Sequence, residues 1–222
     1  MPTWFFNSGS GGVSNDAFNY AAANNPADSL FTLIQNTDAG GTGTMSNLAT
    51  GRGFVLTMPN NNSNDCIGYA SRAVPAGSSW SITTMLNANI PTTKNNGNGF
   101  GIFVSDGTKY QNFGWDEYAQ GNGPAWGSVN WSTIDTYGSR SSGLGSLIQG
   151  YALVWLRLTY TAGGDFILYV SNDGETWTKQ LSIGVTDFLG TPTTCGLFLD
   201  CSVSNTSPAI VTNLTCLSYQ QG

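Results

Sequence analysis

The sequence predicts an all-β protein, a two-sheet antiparallel β-sandwich, and three observations carry that prediction. Two dense runs of β-branched and aromatic residues lie within Tyr151–Trp177 and are joined at Gly163-Gly164. Short runs of the same kind recur from Gly53 to Tyr219, separated by clusters rich in Gly, Pro, Asn and Asp. No stretch of useful length repeats its apolar residues at helical spacing. Many short strands divided by turns are the pattern of a sandwich.

Taken in order, residues 1–50 are expected to form an N-terminal arm or small cap, and residues 51–222 the sandwich. SGSGG at 8–12 and AGGTGT at 39–44 punctuate the arm, with a helical turn expected at Ala17–Ala22 behind Asn15 and a strand at Leu30–Ile34. Trp4, Phe5 and Phe6 are the arm's assembly candidates; they either anchor on a neighbouring subunit or add an edge strand to their own sheet. Strands are then expected at Phe54–Met58, Cys66–Val74, Ser79–Ala88, Gly99–Ser105 and Lys109–Trp115. Residues 113–150 are the least regular part, so their aromatics are expected on loops or short strands.

The Tyr151–Trp177 stretch is the clearest signal. Ala152, Val154, Leu156, Leu158 and Tyr160 share one face, with Tyr151, Leu153, Trp155, Arg157 and Thr159 on the other, because side chains alternate along a strand. Bulk on both faces predicts an inner strand covered on at least part of each side. Val104-Ser105-Asp106-Gly107 and Ser171-Asn172-Asp173-Gly174 read as turns, with Gly where positive φ is needed and Asp where its carboxylate can accept from turn amides. Thr194–Ser202 and Ala209–Tyr219 are the expected closing strands.

Composition narrows the chemistry. Charged residues make up 9% of the chain and the net charge is −6, which supplies no basic footprint for nucleic acid or an anionic membrane. The start, Met1-Pro2-Thr3-Trp4-Phe5-Phe6, has neither a basic n-region nor a long apolar run, so synthesis in a cytosol without a signal peptide is expected. Histidine is absent, which removes Ser-His-Asp and Cys-His catalysis and the usual zinc sites. Cys66, Cys195, Cys201 and Cys216 show no metal-ligand spacing. Cys195 and Cys201 are about 20 Å apart along one strand and cannot bond to each other. One of them could meet Cys216 across a strand pair; the other reading is four buried, reduced thiols.

From Trp155 onward the chain shows Trp155-Leu156-Arg157-Leu158, then F-x-L-Y-x-S-x-D-G-x-x-W over Phe166–Trp177, then Cys195-Gly196-Leu197-Phe198 and a final strand. That arrangement resembles the concanavalin A-like lectin/glucanase superfamily, especially its bacterial and phage members. The resemblance covers about the last 70 residues and implies a two-sheet jelly roll, with a concave sheet that in relatives holds glycan, substrate or another protein. Only two glutamates are present, Glu117 and Glu175, and the E-x-D-x-x-E pattern of laminarinase-like members is missing. Calcium is the one metal the oxygen-rich side chains suggest, but no ligand pattern for it can be quoted, so no cofactor is expected.

The functional expectation is a non-enzymatic structural or binding protein, a phage virion surface component such as a capsid decoration, fibre or tail protein. Its expected partners are other virion proteins, further copies of itself and cell-surface glycans, without nucleic acid or membrane insertion. The alternatives are a free-standing carbohydrate-binding lectin module and a glycoside hydrolase. Ligand-binding candidates are Trp115, Asp116, Tyr118, Trp126, Asn130, Trp131, Tyr137, Trp155 and Arg157. Trp115, Trp126 and Trp131 are the stacking platforms, with Asp116 and Asn130 as hydroxyl partners. If the Trp155/Arg157 face lines a concave sheet, the aromatics at 113–137 would be the walls of the same groove.

Overall fold

The structure is a computed structural model, and it describes residues 30–36, 42–49, 53–59, 66–90, 98–116, 125–145, 153–201 and 211–222. The helical turn expected at Ala17–Ala22 and the assembly candidates Trp4, Phe5 and Phe6 lie outside the described residues.

Among the described residues, fourteen strands build two antiparallel sheets of seven. They are β1 (Thr32–Gln35), β2 (Thr44–Asn47), β3 (Phe54–Pro59), β4 (Ile67–Ala73), β5 (Ser79–Asn89), β6 (Asn98–Ser105) and β7 (Tyr110–Asp116). There follow β8 (Ala125–Thr133), β9 (Thr136–Gly145), β10 (Val154–Thr161), β11 (Asp165–Ser171), β12 (Thr178–Gly184), β13 (Thr194–Cys201) and β14 (Val211–Gln221). The front sheet has the order β1-β4-β13-β6-β7-β8-β9, and the back sheet β12-β11-β10-β5-β14-β3-β2. One of the two is strongly curled. β1 and β2 supply an edge strand to each sheet.

The inner strand read at Tyr151–Tyr160 is β10, seated between β5 and β11. Val154, Leu156, Leu158 and Tyr160 are buried between the sheets, while Trp155, Arg157 and Thr159 are half-buried on the back sheet's outer face. Both Asp-Gly turns form as the sequence predicts. The Asp173 carboxylate accepts from the amides of Glu175 and Thr176 at 2.8 Å each, and Gly174 has φ +77°. Asp106 does the same for the amides of Thr108 and Lys109. The closing strand β14 is not at an edge: it lies in the middle of the back sheet, between β5 and β3.

Of the two placements expected for the aromatics of residues 113–150, loops or short strands, the structure shows strands: residues 125–133 and 136–145 are β8 and β9, so Trp126, Trp131 and Tyr137 stand on a sheet. Glycine and serine at the alternating positions of these strands erase the apolar signal by which a strand is read.

Candidate functional site

The front sheet is apolar on both faces. Its inner side gives Phe100, Ile102, Val104, Phe113, Trp115 and Trp126 to the main core. Its outer side carries a separate cluster of Ile67, Tyr69, Phe103, Val129, Trp131 and Phe198, all buried. Tyr69 packs on Phe103 and Tyr110 with ring centroids 4.7 and 4.9 Å apart. Every described strand belongs to one of the two sheets, so among the described residues no third layer lies over this outer cluster.

Strand register arranges the outer face in rows. Tyr69, Phe198, Gly101, Gly114 and Gly127 are successive cross-strand partners, so three glycines lie side by side at the sheet's centre. The row on one side runs Ile67, Asp200, Gly99, Asp116, Ala125; the row on the other runs Ser71, Gly196, Phe103, Asn112, Val129. The glycines are required by closeness of approach. A Cβ added at Gly114 would strike the Phe100 carbonyl and come within 2.9 Å of the Gly101 Cα, and one added at Gly101 would strike the Phe113 carbonyl. Side-chain positions at the centre of this face therefore point into neighbouring backbone.

Gly99, Gly114 and Gly127 floor a small cleft, whose lining also includes Asn112, Asp116, Val129, Phe198 and Asp200. Its volume is about 10 Å³, room for roughly one water-sized group. Asn112 is 1% exposed and its Oδ1 has no hydrogen-bond partner, while its Nδ2 donates a long bond of 3.5 Å to Tyr69 Oη. Asp116 and Asp200 are buried on the same face, flanking Gly99. Along β7, Asn112 and Asp116 are four residues apart, which is about 13 Å. Chemically the cleft offers oxygen acceptors over an apolar, glycine-floored surface. It therefore suits a donor such as a hydroxyl better than an anion.

The structure separates the residues the sequence put forward. Asp116 lines the cleft. Trp131 lies in the outer cluster of the same sheet, 2% exposed and met edge-on by Tyr137 at 5.8 Å. Tyr137 is exposed. Trp115 and Trp126 are 3% and 1% exposed in the main core, each packed on Phe100, so their rings offer no platform to a sugar. Asn130 is held within the β8–β9 pair, its Nδ2 donating to Ser139 Oγ at 3.1 Å. Tyr118 lies outside the described residues, as does Glu117.

Trp155 and Arg157 are on the back sheet, on the opposite side of the sandwich from the cleft. The single groove expected to join them with residues 113–137 is therefore not formed. Arg157 Nε donates to Thr83 Oγ1 at 3.1 Å, and its guanidinium carbon sits 4.0 Å from the centre of the Trp177 ring. Partial burial lowers its pKa. The cation is thus stacked and hydrogen-bonded in place.

The acidic and sulfur groups resolve as well. Glu175 is exposed in the turn that Asp173 organises, and no group of three or more Cys, Asp or Glu side chains that could hold a metal occurs among the described residues. All four cysteines are buried, and none is in a disulfide. β13 and β14 belong to different sheets, so Cys216 is not the cross-strand neighbour of Cys195 or Cys201. Sequence reasoning missed Asn112 and the glycine floor. The available signal was Gly99-Phe100-Gly101 followed by Gly114 and Gly127, glycines spaced along strands where side chains would otherwise be expected.

The architecture has known counterparts. Lectin II from Ulex europaeus is similar at 10% identity, with a TM-score of 0.52 over 94% of this chain and 100% of that one. The Ca²⁺-bound exoplasmic/lumenal domain of VIP36 is similar at 12% identity, with a TM-score of 0.50 over 86% of this chain and 82% of that one. The GH43 protein BlXynB from Bacillus licheniformis, at 12% identity and a TM-score of 0.56, matches the whole of this chain with 40% of its own length. At such identities the likeness is one of fold, a two-sheet antiparallel jelly roll. No family profile matches the sequence, and a search of curated proteins finds no match.

Proposed function

We propose that the protein is a lectin-like, non-enzymatic binding protein whose front sheet receives a hydroxyl-bearing arm of a glycan. The observation that carries this reading is Asn112: a buried side-chain acceptor without a partner, lining a cleft of about one hydroxyl's size over the glycine floor. A buried orphan acceptor is costly in a folded protein unless something hydrogen-bonds to it, and a sugar hydroxyl supplies that donor. Phe198 and Val129 give the apolar contact that the C–H face of a sugar seeks, and Asp116 and Asp200 place two more acceptors nearby. The likeness to lectin II from Ulex europaeus supports the same reading.

The test is a glycan array probed at high protein concentration with the wild type and Asn112→Ala. Hits that weaken tenfold or more in the variant support the reading, and a silent array overturns it. Turnover of any bound glycan would overturn the non-enzymatic part. The finer setting, a virion surface component made in a host cytosol, is proposed on composition alone, the 9% charge and the abundance of small polar residues. Its test is co-purification with a megadalton particle, and a monodisperse monomer with no assembly partner counts against it.

A further inference from the structure

We infer that Cys66 and Cys201 are a disulfide-forming pair that ties β4 to β13 beside the cleft. Register carries the inference. Asp200 pairs with Ile67, which sets Cys201 directly opposite Cys66, and the Cys201 amide donates to the Cys66 carbonyl at 2.9 Å. Both side chains are fully buried in the same core cluster, so they point the same way from neighbouring chains. Residues opposed in a hydrogen-bonded antiparallel pair have Cα atoms about 5.5 Å apart, inside the roughly 4.4–6.8 Å window of disulfides. Their Cβ atoms, about 5.5 Å apart in such a pair, must close by about 1 Å. Cys66 immediately precedes β4 and Cys201 is the last residue of β13, so each can move at a strand end.

The remaining cysteines are placed for other contacts. Cys195 Sγ lies 3.8 Å from Ala73 O and 3.9 Å from Tyr219 Oη, and Cys216 Sγ lies 3.4 Å from Ser218 O in the back sheet. Oxidation of the pair breaks the 2.7 Å hydrogen bond between Cys201 Sγ and Thr212 Oγ1. The closure that the bond demands leaves it strained, and a strained disulfide is the reducible kind, so the tie responds to redox poise. Its effect reaches the cleft through Asp200, the residue next to Cys201.

The oxidant is a small-molecule disulfide such as oxidised glutathione. One cysteine, as thiolate, attacks a glutathione sulfur, breaks that S–S bond and expels one reduced glutathione. The second thiolate then attacks the protein sulfur of the mixed disulfide and expels the other. The two cysteines lose two protons and two electrons in all, and the glutathione disulfide is reduced by them. Burial pushes the Cys201 thiol up to about 12, so thiolate is scarce at neutral pH and the exchange is slow.

The experiment incubates the full chain with excess oxidised glutathione at mildly alkaline pH, alkylates the remaining thiols under denaturing conditions, and maps the peptides. The expected result is a Cys66–Cys201 cross-link with Cys195 and Cys216 alkylated, together with a melting midpoint about 5 °C higher that reverts on reduction. Cys66→Ser and Cys201→Ser should each abolish the cross-link. If Cys201→Ser does not fold, because its hydroxyl disturbs the Thr212 contact, Cys66→Ser alone decides. Glutathione adducts on folded protein without the cross-link, or a cross-link between any other cysteines, overturn the inference.

Discussion

Replacing Asn112 with leucine should make the protein more stable and less able to bind, a combination that a purely structural asparagine would not produce. The side chain is 1% exposed with an orphan Oδ1, and an unsatisfied buried acceptor costs about 1–3 kcal/mol. Against its removal stands the Nδ2 bond to Tyr69, long at 3.5 Å and worth about 0.5 kcal/mol. Leucine is close in volume and would join Val129, Phe103 and Tyr69 in an already apolar cluster. The net gain is about 1 kcal/mol, or a melting midpoint raised by about 2–4 °C for a chain of this size. Binding moves the other way. A sugar hydroxyl entering the leucine variant loses its acceptor, and a loss of about 1.4 kcal/mol or more weakens affinity at least tenfold. Urea denaturation gives the first number, and titration with the strongest glycan from the array gives the second. A variant destabilised by more than 1 kcal/mol with unchanged affinity would refute the reasoning, since Asn112 would then be a satisfied structural residue.

The glycine floor gives a second prediction. Gly114→Ala drives a Cβ into the Phe100 carbonyl and should cost about 2–3 kcal/mol by urea midpoint, because the atom it meets is backbone and cannot rotate away. Gly163→Ala meets no atom within 4 Å and should cost only the left-handed penalty at φ +70°, about 1 kcal/mol. For acid, the amides of Thr176 and Glu175 hold the Asp173 carboxyl down to about 2, below the ordinary 3.8. A depressed pKa means a contribution present above the unfolded value and lost as pH falls through the folded one, so the turn should loosen between about pH 4 and 2. Chemical-shift titration of the Glu175 and Thr176 amides should show that transition, and it should vanish in Asp173→Ala. Finally, Arg157→Ala removes the stack on Trp177 and the bond to Thr83 and should cost about 1 kcal/mol, with glycan affinity unchanged because it lies across the sandwich. A loss of affinity in that variant would place the binding surface on the back sheet.

Much of the fold could be read from the chain because most strands announce themselves by alternation. Val154, Leu156, Leu158 and Tyr160 face in, Trp155, Arg157 and Thr159 face out, and the Asp-Gly turns at 106–107 and 173–174 mark where the chain reverses. The site was harder to read for a physical reason. Neighbouring backbones come close together at the centre of the front sheet's outer face, and the residues that permit this are glycines, which carry no pattern. β8 and β9 were therefore hidden by their own small residues. Tryptophan misled in the opposite direction: Trp115 and Trp126 sit beside glycines in sequence, as binding platforms do, yet their parity on β7 and β8 turns them into the core. The virion setting rested on composition, which describes how a surface meets solvent and carries no address.

The central place of β14 bears on how the molecule is made. Its neighbours β3 and β5 are at 54–59 and 79–89, more than a hundred residues earlier in the chain. A ribosome releases strands in order, so β12-β11-β10-β5 on one side and β3-β2 on the other emerge as two part-sheets with a gap between them. Until β14 arrives, β3 and β5 each present an open edge, the arrangement most prone to pairing with another nascent chain. The protein should consequently depend on chaperone holding during synthesis, and β14 acts as the keystone of the back sheet.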